Sequence, residues 1–198
     1  YDAAGFIVGS VEPERFIDGR AVSGGDVLLG LPSAGLHTNG FSLARKIVGV
    51  TGEADHDRGL LAEALPGGGG ESIGEALMAP HRSYLNAVAP ALDAQIVTGM
   101  AHITGGGLVD NLPRMLPDGL AIELDRSTWT ELPIFSYLAG QGDVPLGERY
   151  RVFNMGLGFV AAVAPSNADA ALALIPESRI VGRVIPGDGD TPRVRGLT

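Results

Sequence analysis

Gly25-Asp26-Val27-Leu28-Leu29-Gly30-Leu31-Pro32-Ser33-Ala34-Gly35-Leu36-His37-Thr38-Asn39-Gly40-Phe41-Ser42-Leu43-Ala44-Arg45-Lys46 changes its hydrophobic period halfway along. Val27, Leu28, Leu29 and Leu31 form a short apolar run behind the Gly24-Gly25 pair, which reads as a buried strand. From Gly40 onward Phe41, Ala44 and Val48 recur at i, i+3 and i+7, with Leu43, Ile47 and Val50 alongside, so residues 40–50 read as a helix. A strand that runs through a glycine-bearing turn into a helix is the building unit of an α/β protein.

The same alternation extends in both directions. Residues 1–11 read as the end of a strand, and residues 51–70, closing on Gly67-Gly68-Gly69-Gly70, as a loop. Helices are predicted over about 71–78 and 82–92, divided at Pro80 because the residue before a proline leaves the helical region. Residues 96–104 read as a strand. Gly105-Gly106-Gly107 is a loop, since three glycines inside a helix would cost about 1 kcal/mol each relative to Ala. Leu108, Leu112 and Met115 mark a short helix that Pro117 ends. Strands follow at 119–125, 153–164 and 180–185, with helices at 133–140 and 167–174. Strands alternating with helices predict an α/β fold, helices packed on a sheet, in one compact domain over roughly 15–190.

Composition narrows the function. The 198 residues contain no Cys, so disulfides and Cys-ligated zinc are excluded, and a chain this long needs neither to hold a core. The net charge of −9 opposes nucleic acid and anionic lipid at long range, while leaving room for a small anionic ligand held by local donors. No basic region opens the chain at Tyr1, and no apolar run approaches the roughly 18–20 residues that span a bilayer. A cytoplasmic protein is expected, and the missing initiator Met reads as a trimmed chain or fragment. The 30 glycines lie in clusters between apolar runs, as close-approach loops require.

Several motif matches fail on context. Gly156-Leu157-Gly158-Phe159-Val160-Ala161 fits GxGxxA, but its glycines sit inside a continuous apolar run rather than at a strand-to-helix turn. No Walker A or HExxH string occurs. His37, His56, His81 and His102 are scattered without zinc spacing, so no metal site is predicted from them. Ser33 and His37 lack the GxSxG elbow that would make them nucleophile and base.

Two segments carry the functional signal. The loop Ser33–Gly40 leads into a helix whose first N–H groups are unpaired, carry about half a positive charge, and bind anions readily. Thr38 or Asn39 is positioned to cap that helix. His102-Ile103-Thr104-Gly105-Gly106-Gly107 repeats the layout of strand, glycine-rich turn and helix. Two such ends at one sheet edge would form a cleft for anionic groups. A phosphate monoester carries about −1.5 to −2, more than one helix end can balance. Arg45, Arg82 and Arg114 are the candidate counter-charges, or else solvated surface arginines.

At these segments the chain resembles the phosphoribosylformylglycinamidine cyclo-ligases, the aminoimidazole ribonucleotide synthetases of purine biosynthesis. GDVLLGLPSAGLHTNGFSLARK at 25–46 and GMAHITGGGLVDNLPRMLPDGL at 99–120 carry most of the match, with FNMGLGFVAAV at 153–163 and IVGRVIPG at 180–187 adding to it. The resemblance implies a mixed-sheet α/β domain, the second of two, over residues 15–198. Residues 1–14 would then be the end of an absent N-terminal ATP-binding domain. It implies ATP-dependent ring closure of formylglycinamidine ribonucleotide, a phosphorylated small molecule. ATP and magnesium would be bound mainly by the absent domain, and the full-length enzyme would be a homodimer.

Carried over by position, His37, Asn39 and Gly40 match the family's cleft loop, and His102, Thr104, Gly105, Gly106 and Gly107 its glycine-rich loop. Arg82 stands in the family's Pro-x-Arg-x-Tyr stretch, here Pro80-His81-Arg82-Ser83-Tyr84, with His81 where Thr is expected. Ala34, Thr38 and Phe41 replace the more usual Ser, Ser and Tyr. His37 is expected to orient or deprotonate the substrate's amide or amidine, while the 102–107 loop donates N–H groups to an anion. The alternatives are another ATP-using member of the same superfamily, such as a formylglycinamidine ribonucleotide synthetase, or a non-catalytic substrate-binding or assembly domain.

Overall fold

The computed structural model describes residues 4–197. Six strands, β1 (Val27–Pro32), β2 (Val97–His102), β3 (Leu120–Leu124), β4 (Leu157–Val163), β5 (Arg179–Pro186) and β6 (Val194–Arg195), form one sheet in the order β2-β4-β1-β5-β3-β6. All neighbours are antiparallel except β3 and β6, which run parallel, so the sheet is mixed as the resemblance implies. The period-2 alternation of the central strands sorts their side chains onto two faces. Leu28, Val160 and Ala162 join one core cluster, and Leu29, Leu31, Ala161 and Val163 join the other.

Helices cover both faces. The larger cluster is closed by α1 (Phe41–Val48), α2 (Ala54–Leu61), α3 (Ile73–Leu77), α5 (Gly107–Asn111), α6 (Pro133–Gln141) and α7 (Leu146–Val152). The smaller one is closed by α4 (Leu85–Asp93) and α8 (Ala168–Leu174). No helix among the described residues is long and apolar enough to cross a membrane.

Four expectations are corrected. Residues 4–12 form no regular element, and Phe6, Ile7 and Val8 are each 97% exposed. The strand read over residues 1–11 is therefore absent where it is described, because nothing pairs with or packs on this segment and water satisfies its N–H and C=O groups. Tyr1, Asp2 and Ala3, which that reading included, lie outside the described residues. The loop read at 51–70 contains α2, whose N-terminal approach is tied by Asp57 accepting from the Thr51 and Gly52 N–H groups at 2.9 and 2.8 Å. The strand read from residue 153 begins only at Leu157, because Met155 (φ 50°) and Gly156 (φ 96°) make a left-handed turn first. Helix α7 and the two-residue strand β6 appear where no element was expected.

Candidate functional site

Strands β1 and β2 lie on either side of β4 and are both antiparallel to it, so they run parallel to each other and end at the same side of the sheet. Leu31 and His102 both take Phe159 of β4 as their partner. The two glycine-bearing loops therefore leave the sheet side by side, and the Asn39 side chain lies against Gly105.

The first loop is held from below by the start of β4. Buried Asn154 accepts from Ser33 Oγ at 2.8 Å and from the Gly156 N–H at 3.0 Å, and donates to the Gly35 carbonyl at 2.8 Å. The Ser33 hydroxyl is spent on this contact, which excludes it as a nucleophile paired with His37. His37 takes a left-handed conformation (φ 59°), and the Ala34 N–H donates to its Nε2 at 3.1 Å. Neither Thr38 nor Asn39 caps α1. Gly40 is the N-cap at φ 77° with no side-chain bond, so the first donors of the helix stay open.

The second loop is laced by Asn111, also buried, whose Nδ2 donates to the carbonyls of Thr104, Gly105 and Gly107 at 3.2, 3.2 and 2.8 Å. Thr104 Oγ1 donates to Asn111 Oδ1 at 3.2 Å, so Thr104 shapes the loop. Gly107 packs so closely on the backbone of Tyr150 that a Cβ there would collide with its carbonyl.

Between the loops stand three imidazoles. His37 and His81 stack with ring centroids 4.2 Å apart, and His81 Nε2 meets His102 Nε2 at 3.1 Å. One ring nitrogen from each lies within 4.8 Å of the others. Three of the four histidines that look scattered in sequence are thus gathered, because β2 and the 79–84 segment converge over β4. Gly158 makes room for them. A side chain there would strike the Tyr84 hydroxyl and the His37 ring. The GxGxxA match, as expected, is not a turn into a helix, since its second glycine lies inside β4.

Charge at the site is largely spoken for. Burial, with the facing His81, His102 and Arg82 adding to it, pushes His37 down to about 4, so it is neutral at physiological pH. Partial desolvation of its ring and then His81 lower His102 as well, although the residue is exposed overall. Arg82 pairs with Glu177, donates to the Pro32 carbonyl at 3.3 Å and lies over the Tyr84 ring. Arg45 is exposed and donates to Phe41 in its own helix at 3.4 Å. Arg114 is exposed beside Met115, which packs near Gly99 toward the middle of β2. Of the three candidate counter-charges only Arg82 reaches the cluster, and it arrives already neutralised.

Two buried side-chain atoms among the described residues have no hydrogen-bond partner, and both lie in the first loop: His37 Nδ1 and Asn39 Nδ2. Buried polar atoms are almost always satisfied, so these two donors call for an acceptor, from a ligand or a water. His81, Tyr84, Asn154 and Glu177 also build the site, although none is a site residue by its sequence pattern. Only the Pro-x-Arg-x-Tyr stretch offered a signal, for His81 and Tyr84.

A family model described as AIR synthase related protein, C-terminal domain, matches residues 23–195. The phosphoribosylformylglycinamidine cyclo-ligase of Bifidobacterium longum (strain DJO10A) is 44% identical over 182 residues, covering 90% of this chain and 50% of the relative. That of Anaeromyxobacter sp. (strain Fw109-5) is 45% identical over 194 residues, covering 96% of this chain and 54% of the relative. The chain thus spans about half the length of the curated relatives it matches. The crystal structure of thiamine-monophosphate kinase from Stenotrophomonas maltophilia K279a superposes with a TM-score of 0.53 at 18% identity, over 93% of this chain and 54% of that one. That likeness is one of fold.

Proposed function

Because the chain belongs to the AIR synthase related protein, C-terminal domain, family, we propose that it is one half of a phosphoribosylformylglycinamidine cyclo-ligase and supplies one wall of the cleft where the ring closes. In this reading ATP phosphorylates the formyl-amide oxygen of formylglycinamidine ribonucleotide. The internal amine then attacks that carbon, and phosphate leaves as the imidazole ring forms. The observation that carries the proposal is the pair of orphaned donors, His37 Nδ1 and Asn39 Nδ2, beside the uncapped end of α1.

The residues divide the work by the bonds they already make. The Ala34 N–H occupies His37 Nε2, so the neutral ring carries its proton on Nδ1. His37 therefore acts as a donor that orients the substrate's amide oxygen, and of its two expected roles, orienting suits the geometry better than deprotonation. Asn39 adds a second donor. The open N–H groups of α1 face an anion with the positive end of the helix dipole. Arg82, neutralised by Glu177, positions Tyr84 and the Pro32 carbonyl instead of offering a free charge.

Magnesium takes oxygen ligands. The cluster of metal-capable side chains among the described residues is made of three imidazoles, so these residues do not fit magnesium and no step runs through it. ATP and its metal belong, in this proposal, to the part of the relatives that this chain does not span. Homodimer formation belongs there too.

The test is to supply formylglycinamidine ribonucleotide, and separately the substrates of related ATP-using enzymes, to the full-length protein and follow ADP release. Release with formylglycinamidine ribonucleotide alone supports the proposal. Release only with another substrate assigns the chain to a different branch of the superfamily.

A further inference from the structure

The three-imidazole cluster has a property that ring closure does not use. His81 Nε2 and His102 Nε2 face each other at 3.1 Å, and both residues are exposed. An ion at the usual 2.0–2.1 Å from each would subtend about 100° between them, between the octahedral and tetrahedral values. Thr38 Oγ1 lies 3.3 Å from His81 Nδ1. With the Nδ1 proton donated to that hydroxyl, the lone pair of His81 is left on Nε2, facing His102. A hydrogen-bonded second ring nitrogen of this kind fixes the tautomer of metal-bound histidines.

We propose that His81, His102 and His37 form a binding site for a borderline divalent transition metal such as Zn2+, with the remaining coordination positions open to water or an oxygen ligand. Neutral imidazoles favour Zn2+, Ni2+ or Cu2+ over Mg2+ and Ca2+, which seek oxygen. Nitrogens around a tetrahedral ion stand about 3.3 Å apart. Those of the three rings lie within 4.8 Å of one another, so a side-chain adjustment of about 1.5 Å or less closes the set. His81 and His102 anchor the ion. His37 is the weakest of the three, because it is the buried member and ligation costs it its stacking on His81. The cationic neighbour that would oppose an ion, Arg82, is paired with Glu177.

The inference does not rest on the cyclo-ligase reading, and its test needs no substrate. Chelator-stripped chain is titrated with Zn2+ by calorimetry at pH 7.5, with Mg2+ as the control. One Zn2+ binds per chain and Mg2+ does not. His81→Thr and His102→Gln each weaken Zn2+ binding by at least the 10–100-fold that loss of an outer partner alone costs, and His37→Asn weakens it by about 10-fold. His56→Gln, at an exposed histidine outside the cluster, leaves affinity unchanged. Circular dichroism confirms that the variants fold. Absence of Zn2+ binding, or an unchanged affinity in any of the three cluster variants, overturns the site.

Discussion

Ser33 Oγ donates to Asn154 Oδ1 at 2.8 Å, binding the loop after β1 to the turn before β4 across most of the chain. Asn154 also holds the Gly156 N–H and the Gly35 carbonyl, so one buried amide fixes the base on which His37 stands. Replacing Asn154 with Ala leaves buried partners unsatisfied, at about 1–3 kcal/mol for each group. With three such partners, partly relieved by relaxation of the loop, a loss of about 3–5 kcal/mol is expected in urea unfolding. A loss below 1 kcal/mol would mean that the backbone alone holds the loop.

Gly158 and Gly59 give opposite outcomes for the same substitution. A Cβ at Gly158 strikes Tyr84 and the His37 ring, whereas nothing lies within 4 Å of the Cβ position at Gly59 in α2. Gly158→Ala is expected to cost about 1–3 kcal/mol, the usual range for overpacking. Gly59→Ala should stabilise by about 0.5–1 kcal/mol, through helix propensity and a less entropic unfolded chain. Matched thermal melts of the two variants check both signs, and a shift in the same direction would refute the account.

What the sequence could reveal followed from hydrophobic period. Strand β1 and helix α1 were legible because Val27–Leu31 and Phe41–Val48 bury a face. Helix α2 fully buries no residue and α7 only Tyr150, so neither has a stripe to read; α2 is held by Leu60 and Leu61 at its C-terminal end and by the polar contacts of Asp57 at its start. The two loops were legible as glycine-bearing turns, and their adjacency follows from β1 and β2 sharing β4. The histidine cluster was not, because the contacts of His37, His81 and His102 are set by sheet order and by the left-handed turn at His37, neither of which leaves a local spacing.

Tyr150 predicts a pH effect away from the cleft. Its hydroxyl donates to Glu131 Oε1 at 2.6 Å, and burial, then the hydrogen bond and charge of Glu131, push the phenol well above its ordinary value. The unfolded phenol ionises near pH 10 while the folded one keeps its proton. The stability this group contributes is therefore fully present below pH 10 and lost as pH rises toward the folded value. Tyr150→Phe should be less stable at pH 7 by about 1–2 kcal/mol. The gap to the unmodified chain should narrow above pH 10 in denaturant titrations, and a gap that widens would reverse the assignment.

The isolated chain is expected to fold without hydrolysing ATP. The metal-capable cluster among its described residues, His37, His81 and His102, offers nitrogen where a nucleotide's magnesium takes oxygen. Steady ADP production by the purified chain, abolished by the Asn39→Ala variant, would place the nucleotide site here instead.

His37 separates orientation from proton transfer. With Nε2 engaged by Ala34 and the ring lowered to about 4, no proton is gained or lost near neutral pH. In the full-length enzyme, His37→Ala should reduce turnover by about 100-fold or more, the scale of a group whose contact strengthens in the transition state. A donor that strengthens there lowers kcat and kcat/KM together and leaves KM nearly unchanged. Between pH 5.5 and 8 the unmodified enzyme should show no limb that His37→Ala removes. A limb near pH 6.5 that vanishes in the variant would make His37 the base after all, and turnover within a factor of two would remove it from the chemistry.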